Sequence, residues 1–94
     1  MKKDAGAAEP TPDHVLDITG EVCPLTFVKT KLLLERMRPG EVALVRLRGA
    51  EPLHNVPRSV RDDGHTVLAF APEDPAAGPH EVHRLLIRKE APRG

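Results

Sequence analysis

Short apolar runs alternate with polar breaks along most of the chain, and their lengths and spacings separate strands from helices. Val15-Leu16-Asp17-Ile18 has strand length and is closed by Thr19-Gly20. Leu25 to Arg38 has the composition of a helix, opened by Pro24 and stopped by Pro39-Gly40. Proline suits the first helical position because its missing N–H would have no partner there. Within this helix Phe27, Thr30, Leu34 and Met37 recur at helical spacing and form the predicted core face. Leu25, Val28 and Leu32 form a second stripe, on roughly the opposite side and flanked by Lys29, Glu35 and Arg36.

Glu41 to Arg48 is a nearly continuous apolar run, as expected of a central strand covered on at least one face. Gly49 to Pro52 reads as a turn. Leu53, Val56 and Val60 then repeat at i, i+3 and i+7, which predicts a shorter helix starting near Asn55, with Pro57 in its first turn and Gly64 as its stop. Thr66 to Ala71 and Glu81 to Lys89 are two further strands, joined by a Pro-, Gly- and Ala-rich loop from Pro72 to His80. The predicted order is β-α-β-α-β-β. The expected fold is an α/β two-layer sandwich, a four-stranded mixed sheet with two helices on one face.

The chain has 94 residues, enough for one domain. Residues 1–14 are small, charged and Pro-containing and are expected to form a flexible tail, leaving residues 15–90 for the domain. A domain of that size buries only about 60% of the surface its unfolded chain exposes. With no Trp or Tyr and only Phe27 and Phe70 as large rings, its core must be built from Val, Leu and Ile.

Lysine and arginine total 14, against 14 aspartate and glutamate. That balance argues against a nucleic-acid binder, whose affinity comes from neutralising phosphates with basic excess. No apolar run approaches the ~20 residues that span a bilayer. Lys2 and Lys3 are not followed by the apolar stretch of a signal peptide. A cytoplasmic protein is expected, with no membrane contact, and a single cysteine fits that compartment.

That cysteine, Cys23, stands before Pro24 at the predicted start of the first helix, in the N-cap position. The first amides of a helix lack internal partners and the dipole is positive there, so a thiolate is stabilised. Helix-start cysteines titrate below the free value of about 8.5. Glu21 acts in the opposite direction, since a nearby carboxylate disfavours a second negative charge. The competing reading is a small buried hydrophobe, a common fate of a free cysteine.

The segment Leu16 to Glu41, LDITGEVCPLTFVKTKLLLERMRPGE, resembles the first strand and helix of the TusA/SirA-like sulfur carriers. Gly20, Cys23-Pro24 and Pro39-Gly40-Glu41 match that family in order and spacing. So do the Pro-containing second helix (Asn55-Val56-Pro57), Gly64-His65 and the final Leu86-Ile87-Arg88-Lys89. Thr26 departs from the pattern, where the family usually has a second proline, and the loop from Gly49 to Pro52 is shorter than usual. The resemblance implies a relay. Cys23 would take a persulfide sulfur from a protein donor such as a cysteine desulfurase, hold it as Cys23–S–SH, and pass it to an acceptor protein. Pro24, Leu25 and Thr26 would position the thiolate and persulfide. No cofactor is implied beyond the transient persulfide. Val28 and Leu32, on the second stripe, are the candidate docking residues for a partner.

Three other readings compete. A regulatory or protein-binding module of the same fold would need no chemistry at Cys23. A metal site is suggested only by His80-x-x-His83, a spacing without further ligands nearby, and none is expected. Direct nucleic-acid binding lacks both charge excess and surface aromatics for stacking. With one cysteine, an intramolecular dithiol cycle is excluded.

Overall fold

The computed structural model describes residues 11–22 and 24–91. The greater part of the expected tail, residues 1–10, and Cys23 itself lie outside the described residues. Six elements follow in the predicted order: β1 (His14–Asp17), α1 (Leu25–Arg36), β2 (Val42–Leu47), α2 (Ala50–Asp62), β3 (Thr66–Pro72) and β4 (His83–Arg88). The sheet order is β1-β2-β4-β3. β1 pairs with β2 in parallel, with Leu16 opposite Val45. β4 is antiparallel to both β2 and β3. The sheet is therefore mixed, and the fold is the expected α/β two-layer sandwich.

β2 is buried along nearly its whole length, as its apolar run predicts. Its side chains alternate between two clusters. Ala43, Val45 and Leu47 join Leu85 and Ile87 of β4, Ile18, and Leu34, Met37, Val56 and Val60 from the helices and the end of α1. Val42 and Leu44 join Leu86 on the opposite face. Both helices therefore lie on one face, and aliphatic side chains fill the space beneath them.

The second helix is longer than the periodicity predicts. It starts at Ala50, not near Asn55, and the expected turn from Gly49 to Pro52 is its cap and first turn. Pro52 falls at the third helical position, where an amide has no acceptor inside the helix, so its missing N–H costs nothing. Gly49 caps the helix at φ +101, a conformation that disfavours any side chain. A Cβ placed there would lie 3.4 Å from Pro52 Cδ. Its carbonyl accepts from the Leu53 amide at 3.0 Å, the first bond of the helix. Pro57 lies in the helix interior, not its first turn, and is buried against the core with Pro52, Val56 and Val60.

Charged side chains pair across the sheet and its ends. Arg46 donates to Glu73 at 2.8 and 2.9 Å and to Asp17 at 2.7 Å. The bond from Arg46 holds Glu73 below the usual carboxylate range, and Thr19 does the same for Asp17, helped by Arg46. Bonds from the Arg38 amide and His14 lower Glu41, and bonds from Thr66 and Arg88 lower Glu90. His65 is more than the turn residue its neighbour Gly64 suggests. It is partly buried and accepts the Glu90 amide on Nδ1 at 3.1 Å. Burial, together with the charge of Lys89, lowers its pKa from 6.5.

Two outcomes follow from this packing. Leu47 is fully buried, so Leu47→Ala should cost about 2–5 kcal/mol in urea unfolding, from lost transfer energy and the cavity left behind. Acid should weaken the fold in two stages. A histidine whose pKa is lowered by folding contributes fully above its unfolded value and loses that contribution as pH falls below about 6.5. Carboxylates lowered by folding contribute above their unfolded values of 3.8 and 4.5 and lose that contribution as pH falls further. Urea midpoints should therefore be level near pH 8, lower at pH 5.5 and lowest near pH 3.

Candidate functional site

Parallel pairing of β1 and β2 brings two strand-to-helix junctions to the same end of the sheet. At the first, Ile18 is buried, and its amide donates to the Arg46 carbonyl at 2.9 Å. The chain then turns sharply, and the Glu21 amide donates back to Ile18 at 3.1 Å. Asp17 braces the turn by accepting the Thr19 amide at 3.0 Å and hydroxyl at 2.7 Å. Lys29, one helical turn on, donates to Glu21 at 2.7 Å and ties the turn to α1.

Cys23 lies between this turn and α1, outside the described residues. Its neighbours define the frame around it. The Leu25 amide donates to the Val22 carbonyl at 2.8 Å, three residues back along the chain. Val22 is 70% exposed, and Pro24 is exposed as well. Pro24 takes φ −91 and ψ 5, the bridge region between helix and strand, and occupies the cap. The helix thus begins at Leu25, one residue later than expected, with Pro24 and not Cys23 at the cap. The reason is local: the first turn closes on Val22 by a bond three residues back, and the four-residue pattern begins with the Val28 amide on Pro24 at 3.0 Å.

The phase of α1 is set by Thr26, which is fully buried. Thr26, Thr30 and Leu34 face the sheet, with Met37 just beyond the helix continuing the face. The Thr30 hydroxyl donates to the Thr26 carbonyl at 2.8 Å, so its burial leaves no orphaned donor. Phe27, expected in the core, is displaced to the flank of the helix. It is half-buried there, with Lys31 Nζ 5.1 Å from the ring centre. The burial of Thr26 follows from the same four-residue spacing through Thr30 and Leu34, but a hydroxyl residue is not an obvious core choice when a phenylalanine stands beside it.

The second stripe lies where the spacing puts it. Leu25, Val28 and Leu32 are 46%, 41% and 52% exposed and extend from the Cys23 end along α1. Val22, before the helix, is likewise a large apolar side chain exposed to solvent. No group of three or more His, Cys, Asp and Glu able to hold a metal occurs among the described residues. His83 packs instead against Phe70, ring centres 5.1 Å apart, with Nδ1 2.8 Å from the Glu81 carbonyl. Arg46, Arg48 and Arg88 are each paired with a carboxylate. No helix among the described residues is long and apolar enough to cross a membrane.

A family model described as Sulfurtransferase TusA matches residues 14–89, from the first residue of β1 to the residue after β4. The chain belongs to the TusA family. A protein of Archaeoglobus fulgidus named "Putative sulfur carrier protein" is 45% identical over 69 residues, which is 73% of this chain and 78% of that protein. A protein of the same name from Thermotoga maritima is 38% identical, over 65% of this chain and 77% of its own length. YedF of Escherichia coli, named likewise, is 33% identical over 83% of this chain and 94% of its own length. Among solved structures, a SirA-like protein of Desulfitobacterium hafniense superposes with a TM-score of 0.66. It covers 83% of this chain and 99% of that one, at 20% identity. That likeness is one of fold, and it agrees with the two-layer arrangement described above.

Val28 and Leu32 contribute nothing to the core of this TusA-family domain. Val28→Lys and Leu32→Lys should each therefore change unfolding stability by no more than about 0.5 kcal/mol, measured by chemical denaturation. The same substitution at Leu34, buried against the sheet, should unfold the protein.

Proposed function

We propose that this protein is a sulfur carrier that takes a sulfane sulfur onto Cys23 from one protein and delivers it to another. The observation that carries the reading is the TusA-family match across the whole fold, with Cys23-Pro24 at the β1–α1 junction. Exposure of Val22 and Pro24 on either side of Cys23 supports access by a macromolecular partner.

In this reading the Cys23 thiolate attacks the outer sulfur of a donor persulfide, for which a cysteine desulfurase is the expected source. One sulfur–sulfur bond breaks in the donor, one forms on Cys23, and the donor cysteine leaves as its thiolate. No net oxidation occurs, so no further reactant is needed. Delivery repeats the exchange: a nucleophile on the acceptor takes the outer sulfur and the Cys23 thiolate is regenerated. The start of α1 favours the anion at both stages, through the positive end of the helix dipole and the amides of the first turn. Pro24, Leu25 and Thr26 hold that turn in place. The Leu25–Val28–Leu32 stripe gives a donor or acceptor an apolar surface that ends beside the sulfur, and Val28 and Leu32 are its docking residues.

Intact-mass spectrometry after incubation with a cysteine desulfurase and free cysteine tests the reading. The expected result is a gain of one sulfur atom that dithiothreitol removes and Cys23→Ser abolishes. A protein that stays unmodified with several active desulfurases, and whose Cys23 alkylates no faster than a free thiol, would instead be a binding module. Double substitution of Val28 and Leu32 by lysine should slow loading by about tenfold without changing the rate of alkylation by iodoacetamide.

A further inference from the structure

At the end of the sheet where β2 begins and β4 finishes, opposite the end where β1 hands the chain to α1, three segments converge. They are the turn after α2, the residues that follow β4, and the last turn of α1. Antiparallel pairing sets Thr66 opposite Arg88, so His65, just before β3, meets the chain just after β4. His65 lines two cavities there, of about 670 and 250 Å3, which share Asp63, His65 and Lys89.

The Glu90 amide donates to His65 Nδ1 at 3.1 Å. A ring nitrogen accepts a hydrogen bond only when it carries no proton, so this bond requires neutral His65 with its hydrogen on Nε2. The donor is a backbone amide and cannot reverse its role. A proton added to Nδ1 sets two N–H groups against each other, and the bond must break. The neighbouring contacts do not depend on the ring. The Glu90 carboxylate accepts the Thr66 hydroxyl at 2.5 Å and Arg88 Nε at 3.0 Å. The Lys89 amide donates to the Glu41 carbonyl at 2.9 Å, and Lys89 Nζ donates to the Leu34 carbonyl of α1.

Charged groups from every surrounding element line the space around the ring. Lys89 and Glu90 come from the end of β4, Arg61, Asp62 and Asp63 from the end of α2, and Lys31 and Glu35 from α1. Lys31 lies 3.3 Å from Asp63. Burial, followed by the charge of Lys89, lowers the pKa of His65 from 6.5 against the pull of Asp63 and Glu90. The bond is therefore whole at neutral pH and opens in mild acid.

We propose that His65 is a proton-operated latch: neutral, it holds Glu90 to the turn after α2, and protonated at Nδ1 by solvent, it releases the Glu90 amide. The opening is local, because Leu85 and Ile87 inside β4 are fully buried and keep the strand in place. The latch stands independently of the sulfur-carrier reading, since it involves neither Cys23 nor the residues around it.

Nuclear magnetic resonance of the full chain between about pH 8 and about pH 5 tests the latch, the range in which histidine titrates. Nitrogen-15 shifts of the ring should show Nδ1 without a proton at the upper end. As the ring takes up its proton, the protection of the Glu90 amide against hydrogen exchange should fall by about fivefold or more, the scale of one lost hydrogen bond. Protection is corrected for the intrinsic pH dependence of exchange, and that of Ile87 should hold. In His65→Asn the side-chain oxygen can accept the same amide but does not titrate, so the pH dependence at Glu90 should vanish. A ring with its proton on Nδ1 at the upper end, or one still neutral at the lower end, overturns the proposal. So does Glu90 protection that stays level through the ring titration, or that falls equally in His65→Asn. Should His65→Asn not fold, the parent titration decides alone.

Discussion

The parallel pairing of β1 with β2 is the constraint on which the arrangement of this molecule depends. Parallel neighbours run in the same direction, so each must hand the chain to a crossover at the same end of the sheet. That requirement sends α1 and α2 across one face and begins both of them at the end where Cys23 lies in the sequence. The antiparallel strand β4, inserted beside β2, completes the burial of β2 and gives the sheet its mixed character. With β2 buried, its alternate side chains supply both the helix-side core and the small cluster on the opposite face. A domain with no Trp or Tyr achieves a stable interior by covering one aliphatic strand completely.

The same constraint separates the polar work from the apolar work. The turn before Cys23 is held by bonds among Asp17, Thr19, Glu21 and Lys29, none of which enters the core. Arg46, on the face away from the helices, links Asp17 to Glu73 and so ties the edge strand β1 to the loop after β3. These contacts are exposed, and each stabilises the fold only slightly. Together they fix the path of a short segment that has few apolar anchors besides Ile18. The segment that leads to the cysteine is thus positioned by surface polar bonds, while the helix that follows it is positioned by burial of Thr26, Thr30 and Leu34.

α1 also shows how a helix can serve two surfaces at once. Its buried face is narrow and partly built from threonines, which pack closely and satisfy their hydroxyl groups internally. The larger apolar residues Leu25, Val28 and Leu32 are left in solvent, the reverse of what stability alone would favour. The exposed residues can therefore vary without loosening the core.

The order of elements, the fold class and the exposed stripe of α1 were legible in the sequence, because apolar period and Gly/Pro punctuation report local structure directly. Boundaries were less so. Pro52 reads as a breaker by its own chemistry, yet it opens α2, since tertiary burial of Pro52 and Pro57 holds a helix that local preference alone would start later. Phe27 outranks Thr26 as a core residue by hydrophobicity, but the helix phase is decided by how closely α1 must approach the sheet, and the smaller side chain takes the inner place. The sequence by itself determined that the one cysteine falls just before α1 and which helix face stays apolar, both being properties of single segments. Only the tertiary structure brought the two strand-to-helix junctions to one end of the sheet, because that juxtaposition comes from parallel strands that are distant along the chain.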